Sequence, residues 1–136
     1  MKTGEKCLYK NIILVDDDPI NNFINKRVIQ ASNVCQRILL FTNGIDAINY
    51  IQNENPVEYD LPDLLIVDVK MPVMDGFEFI QRVNKLPHEK TSHFRIFMLS
   101  SSQDPRDLQK SRDLGVKNYI SKPLSEEKLK QLAFSL

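Results

Sequence analysis

Ile12-Ile13-Leu14-Val15 and Leu64-Leu65-Ile66-Val67 are apolar at every position, so neither run has a side to turn toward water. A strand reads this way when both faces of its sheet are covered, the condition of a parallel sheet wrapped by helices. Strand candidates recur at Asn11–Asp16, Arg37–Phe41, Asp63–Asp68, Phe94–Ser100 and Val116–Ile120. Between them, apolar residues return with a period near 3.6. This repeated alternation predicts an α/β fold, a doubly wound sheet of five parallel strands with five helices.

Each intervening stretch offers a stripe for burial. The first has Ile20, Phe23, Ile24, Val28 and Ala31; the second Ala47, Ile48 and Ile51; the third Phe79, Ile80, Val83 and Leu86. The fourth helix starts at Asp104-Pro105, a cap followed by proline, and stops at Gly115. Its stripe is thin, little more than Leu108 and Leu114, so mobility is expected there. Ser125 caps the last helix, with Leu124 and Leu129 placed as a hydrophobic staple. Leu129, Leu132, Ala133 and Leu136 make its inner face. The linkers are short apart from Asn53–Pro62.

A chain of 136 residues fits one domain, and about 150 residues bury roughly 68–70% of the unfolded surface, so no metal or disulfide staple is required. With 18 basic and 18 acidic residues and no basic run, nothing marks the chain for nucleic acid or a membrane surface. The start, Met1-Lys2-Thr3-Gly4-Glu5-Lys6, is polar, and the longest apolar runs are far too short to span a membrane. Cys7 and Cys35 stand alone and read as reduced thiols. A cytoplasmic location is expected.

Both central runs end in acid: Asp16-Asp17-Asp18 after the first, Asp68 after the second. In open α/β sheets, ligands sit beyond the carboxyl ends of the strands where strand order reverses, which puts Asp16, Asp17, Asp68 and Ser100 on one rim. Crowded carboxylates repel one another unless a cation or proton neutralises them, and a hard divalent cation, Mg2+, suits such oxygens. The fourth strand ends in the hydroxyls Ser100-Ser101-Ser102, and Lys122-Pro123 follows the fifth. A carboxylate attacking a phosphoryl group needs its repulsion from that dianion removed. A cation held by neighbouring acids does this, while an ammonium and a hydroxyl hold the remaining oxygens.

Val15-Asp16-Asp17, Asp68, Met71-Pro72-x-x-Asp75-Gly76, Leu99-Ser100-Ser101 and Lys122-Pro123, in that order, resemble the receiver domain of two-component response regulators. Asn43-Gly44-x-Asp46-Ala47-Ile48 resembles that family's second helix. The resemblance runs over residues 11–136, leaving 1–10 as an N-terminal extension, and implies the flavodoxin-like strand order 2-1-3-4-5. It makes Asp68 the phosphoacceptor. Asp16 and Asp17, with Asp68 and the backbone carbonyl of Lys70, become the Mg2+ ligands. Ser100 becomes the switch hydroxyl, Tyr119 the switch aromatic and Lys122 the phosphoryl-contacting lysine, with a cis peptide before Pro123.

The resemblance also implies a sensor histidine kinase or histidine phosphotransfer protein as donor. A downstream protein target would be reached through the fourth helix, fifth strand and fifth helix, by a monomer or weak dimer. The protein would assist its own phosphorylation and dephosphorylation without being a turnover enzyme. It could stand alone or belong to a longer regulator.

Other residues carry plainer readings. Asp18 caps the first helix, Met71-Pro72 and Asp75-Gly76 shape a loop, Ser101 is a small spacer, and His88 and His93 lie on the surface. The receiver resemblance places the side chains of Lys70 and Ser102 beside the path of attacking water. Two alternatives remain open: a haloacid-dehalogenase-type phosphatase using Asp16-x-Asp18, and an unphosphorylated docking module of the same fold.

Overall fold

Side chains alternate across a strand, so β1 (Tyr9–Val15) sends Ile12 and Leu14 to one face and Ile13 and Val15 to the other. The computed structural model describes residues 9–32, 35–53, 63–91, 95–101, 104–116 and 118–133. β3 (Leu64–Asp68) divides in the same way, Leu64 and Ile66 against Leu65 and Val67. The Ile13 side is closed by Ala47 and Ile51 of α2 (Gly44–Asn53) and by Phe79, Ile80 and Val83 of α3 (Gly76–Asn84). The Ile12 side is closed by Ile29 of α1 (Pro19–Ser32) and by Leu124 and Leu129 at α6 (Glu126–Ala133).

With β2 (Cys35–Phe41), β4 (Arg95–Ser100) and β5 (Asn118–Ser121), the strands form one sheet in the order β2-β1-β3-β4-β5. Every neighbouring pair is parallel. The doubly wound expectation holds, with α5 (Pro105–Asp113) as its fourth crossover helix and a single extra turn, α4 (His88–Thr91), between α3 and β4. The chain runs outward from β1 to β2, then returns to place β3 on the other side of β1. Val15 pairs with Val67, so Asp16 and Asp68 leave their strands at the same level in the crevice this reversal opens.

Local chemistry sets the boundaries. β1 reaches back at least to Tyr9, two residues before the expected Asn11: Tyr9 pairs with Cys35 of β2, and the Asp63 carboxylate accepts from the N–H groups of Lys10 (2.7 Å) and Asn11 (2.8 Å). Val116, expected in the fifth strand, instead donates its N–H to Ser111 at the end of α5. Asp75 caps α3 by accepting from Glu78 N–H at 2.9 Å, and Asp104 accepts from Arg106 N–H at 2.9 Å ahead of Pro105. Gly115 ends α5 at φ 85°, where only glycine is comfortable.

The first helix departs from its predicted face. Ile20, Phe23 and Ile24 are 67%, 57% and 51% exposed, Ala31 is also exposed, and Asn22, Asn25, Ile29 and Ser32 are the buried residues. Both stripes repeat at helical spacing. The polar one faces inward because the Asn22 amide donates to the carbonyls of Asp16 (3.0 Å) and Phe41 (3.2 Å), answering acceptors at the ends of β1 and β2. Of the expected stripe, Val28 alone packs on the core. α5 is thinly attached, as its sequence foretold: Ser111 is its buried residue. Cys7, most of the Asn53–Pro62 linker, His93, Phe94, Ser102 and Leu136 lie outside the described residues, as do the side chains of Leu132 and Ala133.

Candidate functional site

One carboxylate oxygen from each of Asp16, Asp17 and Asp68 lies within 4.8 Å of the others. Two of these acids are buried, Asp16 at 3% exposure and Asp68 at 5%, while Asp17 faces solvent. One Asp16 oxygen, Oδ1, accepts from the N–H of Asp18 at 2.9 Å; the other, Oδ2, is buried with no hydrogen-bond partner. Burial pushes the Asp16 carboxyl above the usual carboxylate range, against the Asp18 N–H, and the charges of Asp68 and Asp17 push it further. Burial also raises Asp68, opposed chiefly by its hydrogen bond with Lys122. Three hard oxygen donors, one of them orphaned, fit a small divalent cation better than a proton shared among acids.

Lys122 reaches this cluster from the β5–α6 loop, its Nζ 2.8 Å from Asp68 Oδ1. Its backbone N–H donates to the Ser100 carbonyl at 2.9 Å, which ties the loop to the end of β4. The Lys122–Pro123 peptide is cis, as the family resemblance implied. Ser100 is buried at 2% exposure, one residue beyond the Leu99 that pairs with Asp68. On β5, Tyr119 pairs with Met98 of β4 and is half-buried against the core beneath α2 and α3. The exposed Lys70 borders an open cleft of about 510 Å³ between the β3–α3 loop and α5, along with Pro72, Phe77, Asp107 and Lys110.

The loop after Asp68 is held close. Val69 N–H donates to Leu99 O at 3.0 Å and Gly76 N–H to Val69 O at 2.8 Å. Met71 and Met74 of the same loop are buried core residues, and Asp75 caps α3, in keeping with a shaping role. Asp18 accepts from Ile20 N–H at 2.9 Å and so caps α1; its carboxylate is not part of the acid cluster. His88 is exposed in α4 and Ser101 is exposed beside Ser100.

Two residues that sequence reasoning passed over sit beside this site. Asn22 holds the ends of β1 and β2, and its signal was a second helical stripe, Asn22-Asn25-Ile29-Ser32, alongside the apolar one. Lys128 donates to the carbonyls on either side of Lys122; its signal was a lysine in the first turn of a helix.

The family model described as the response regulator receiver domain matches residues 12–134. A two-component response regulator from Cytophaga hutchinsonii is 33% identical, covers 91% of this chain and 93% of its own, and superposes with a TM-score of 0.81. The receiver domain of the sensor histidine kinase PA1611 from Pseudomonas aeruginosa, described with magnesium coordinated in its active-site cleft, shares the fold at a TM-score of 0.74 and 19% identity, over 91% and 93% of the two chains. The sensor histidine kinase CheAY from Helicobacter pylori is 26% identical over 87% of this chain, which spans 14% of that protein's length.

Proposed function

This chain belongs to the response regulator receiver family, and we propose that it is a phosphorylation-controlled signalling switch whose acceptor is Asp68. The carrying observation is the convergence of Asp16, Asp17 and Asp68 oxygens within 4.8 Å, with Lys122 Nζ 2.8 Å from the proposed acceptor. Mg2+ would be held by Asp16, Asp17, Asp68 and the Lys70 backbone carbonyl, and would neutralise phosphoryl oxygens.

An Asp68 carboxylate oxygen attacks the phosphorus of a phosphohistidine on a sensor kinase or histidine phosphotransfer protein. The P–N bond breaks, its electron pair returns to the imidazole, and an acyl phosphate forms. Lys122 balances the new charge, and Ser100, next in line on β4, donates its hydroxyl to a phosphoryl oxygen. These contacts exist only with the phosphoryl group in place, so they bias a two-state element rather than drive turnover. That element is α5, which buries little and stands across the Lys70 cleft from the acceptor loop, with room to shift. Tyr119 turns inward with it, and a downstream protein reads the face of α5, β5 and α6.

The donor docks on α1, where Ile20, Phe23 and Ile24 stand exposed just after Asp17 and Asp18. A cytoplasmic location belongs to the same proposal; among the described residues no helix is long and apolar enough to cross a membrane. The phosphatase alternative needs Asp18 for chemistry, and that carboxylate is engaged in capping α1.

Acetyl phosphate with Mg2+ should add one phosphoryl mass to the wild-type chain and none to Asp68→Asn, read by intact mass spectrometry. Equal uptake by Asp68→Asn removes Asp68 from the role.

A further inference from the structure

Lys128 stands where a helix does not favour a cation. It lies in the first turn of α6, near the positive end of the helix dipole, directly after Glu126 and Glu127. Neither glutamate provides its partner in the structure: the Glu126 carboxylate pairs with Lys130 at 2.8 Å. The Lys128 ammonium instead turns back over the β5–α6 loop, donating to the Ser121 carbonyl at 2.7 Å and the Pro123 carbonyl at 2.8 Å. These two carbonyls flank Lys122. Ser121 ends β5, the edge strand, and among the described residues no strand lies beyond it to supply a donor. The intervening N–H, that of Lys122, donates to Ser100 O at 2.9 Å.

The backbone that carries Lys122 is thus held from both sides, by β4 on the inside and by a buttressing ammonium on the outside. A long lysine side chain delivers its charge to one place only if its stem starts from a fixed place. We propose that Lys128 is a positioning residue that sets the reach of Lys122 toward Asp68. The proposal rests on the reading of Asp68 as phosphoacceptor. Arginine carries the same charge and can donate to both carbonyls, glutamine can reach one, and methionine neither.

The test compares wild type, Lys128→Met, Lys128→Gln, Lys128→Arg and Lys122→Met in two measurements, the rate of acetyl phosphate-driven phosphorylation and Mg2+ affinity by calorimetry. Lys128→Met is expected to slow phosphorylation roughly tenfold with Mg2+ affinity unchanged, Gln to fall between, and Arg to restore most of the rate. A wild-type rate in Lys128→Met overturns the proposal, as does a parallel loss of Mg2+ affinity that Arg fails to rescue, the mark of a general structural role. If wild type itself takes up no phosphoryl group, the functional reading fails separately. The NMR signal of the Lys122 εCH2 group, which senses its contact with Asp68, then decides. Movement in Lys128→Met but not in Lys128→Arg supports positioning, and no movement in either overturns it.

Discussion

Gly76 lies so close to Asp68 that a Cβ on Gly76 would stand 2.5 Å from the Asp68 carbonyl oxygen and 2.9 Å from Val69 Cα. Both obstacles are backbone, so no side chain can swing away to make room. Gly76→Ala must push the start of α3 off the acceptor loop and break the Gly76 N–H bond to Val69 O. A loss of about 1–3 kcal/mol is expected by urea denaturation, together with slower phosphorylation at Asp68. A variant as stable as wild type would show that the loop yields freely.

Val73, in the same loop, stores strain. It is β-branched, has φ 69° and is 95% exposed, and the Met74 N–H bond to Pro72 O at 2.7 Å closes a tight turn around it, so a backbone bond rather than packing holds this conformation. Val73→Gly removes the Cβ that makes this backbone costly and loses no core contact. The variant should gain roughly 1 kcal/mol, measured as a higher urea midpoint at unchanged slope. A drop in the midpoint would mean that the exposed isopropyl group stabilises the fold and that the strain reading is wrong.

The sheet was legible because apolar runs without alternation have few other solutions: Ile12–Val15 and Leu64–Val67 each fill two cores at once. The acid cluster was legible for the same reason, since strands of known direction deliver their last residues to one edge. Helix rotation was harder to read. Asn22 and Asn25 compete with Ile20, Phe23 and Ile24 for the inner face of α1, and hydropathy favours the wrong stripe. The contest turns on two carbonyls, of Asp16 and Phe41, whose convergence exists only after β1 and β2 have paired. Lys128 was hidden in the same way, because the carbonyls it serves belong to a loop that takes shape in the folded chain.

Asp16 and Asp68 predict how stability follows pH. Burial raises both carboxyl pKa values in the fold, so the folded chain keeps protons that the unfolded chain has released. Such a group favours the fold below its unfolded pKa, near 3.9. That contribution is lost as pH rises through the raised folded value. Without divalent ions, wild type should therefore weaken relative to Asp16→Asn across this window. Asparagine keeps an acceptor for Asp18 N–H and removes the buried charge, so at about pH 7 it should be more stable by on the order of 1 kcal/mol. Mg2+ at 100 times its Kd should add about 2.7 kcal/mol to wild type at that pH and little to Asp16→Asn. Scanning calorimetry at several pH values measures both. An ion-free Asp16→Asn less stable than wild type near neutrality would contradict the assignment.

The outward face of α1 leads to a prediction about partners. Ile20, Phe23 and Ile24 gain little from the fold at 67%, 57% and 51% exposure, and Arg27 lies 5.7 Å from the Phe23 ring centroid on the same surface. Apolar groups clustered beside an acidic site suit an apolar partner surface that brings a phosphohistidine to Asp68. Phe23→Ser and Ile24→Ser should each change stability by no more than about 0.5 kcal/mol. Each should slow phosphotransfer from a histidine phosphotransfer protein or kinase by roughly tenfold, with the acetyl phosphate rate unchanged because that small donor needs no docking surface. Paired transfer assays with the two donors separate the possibilities. Equal slowing with both donors would place the effect in the site, and no slowing with either would leave the exposed stripe without this role.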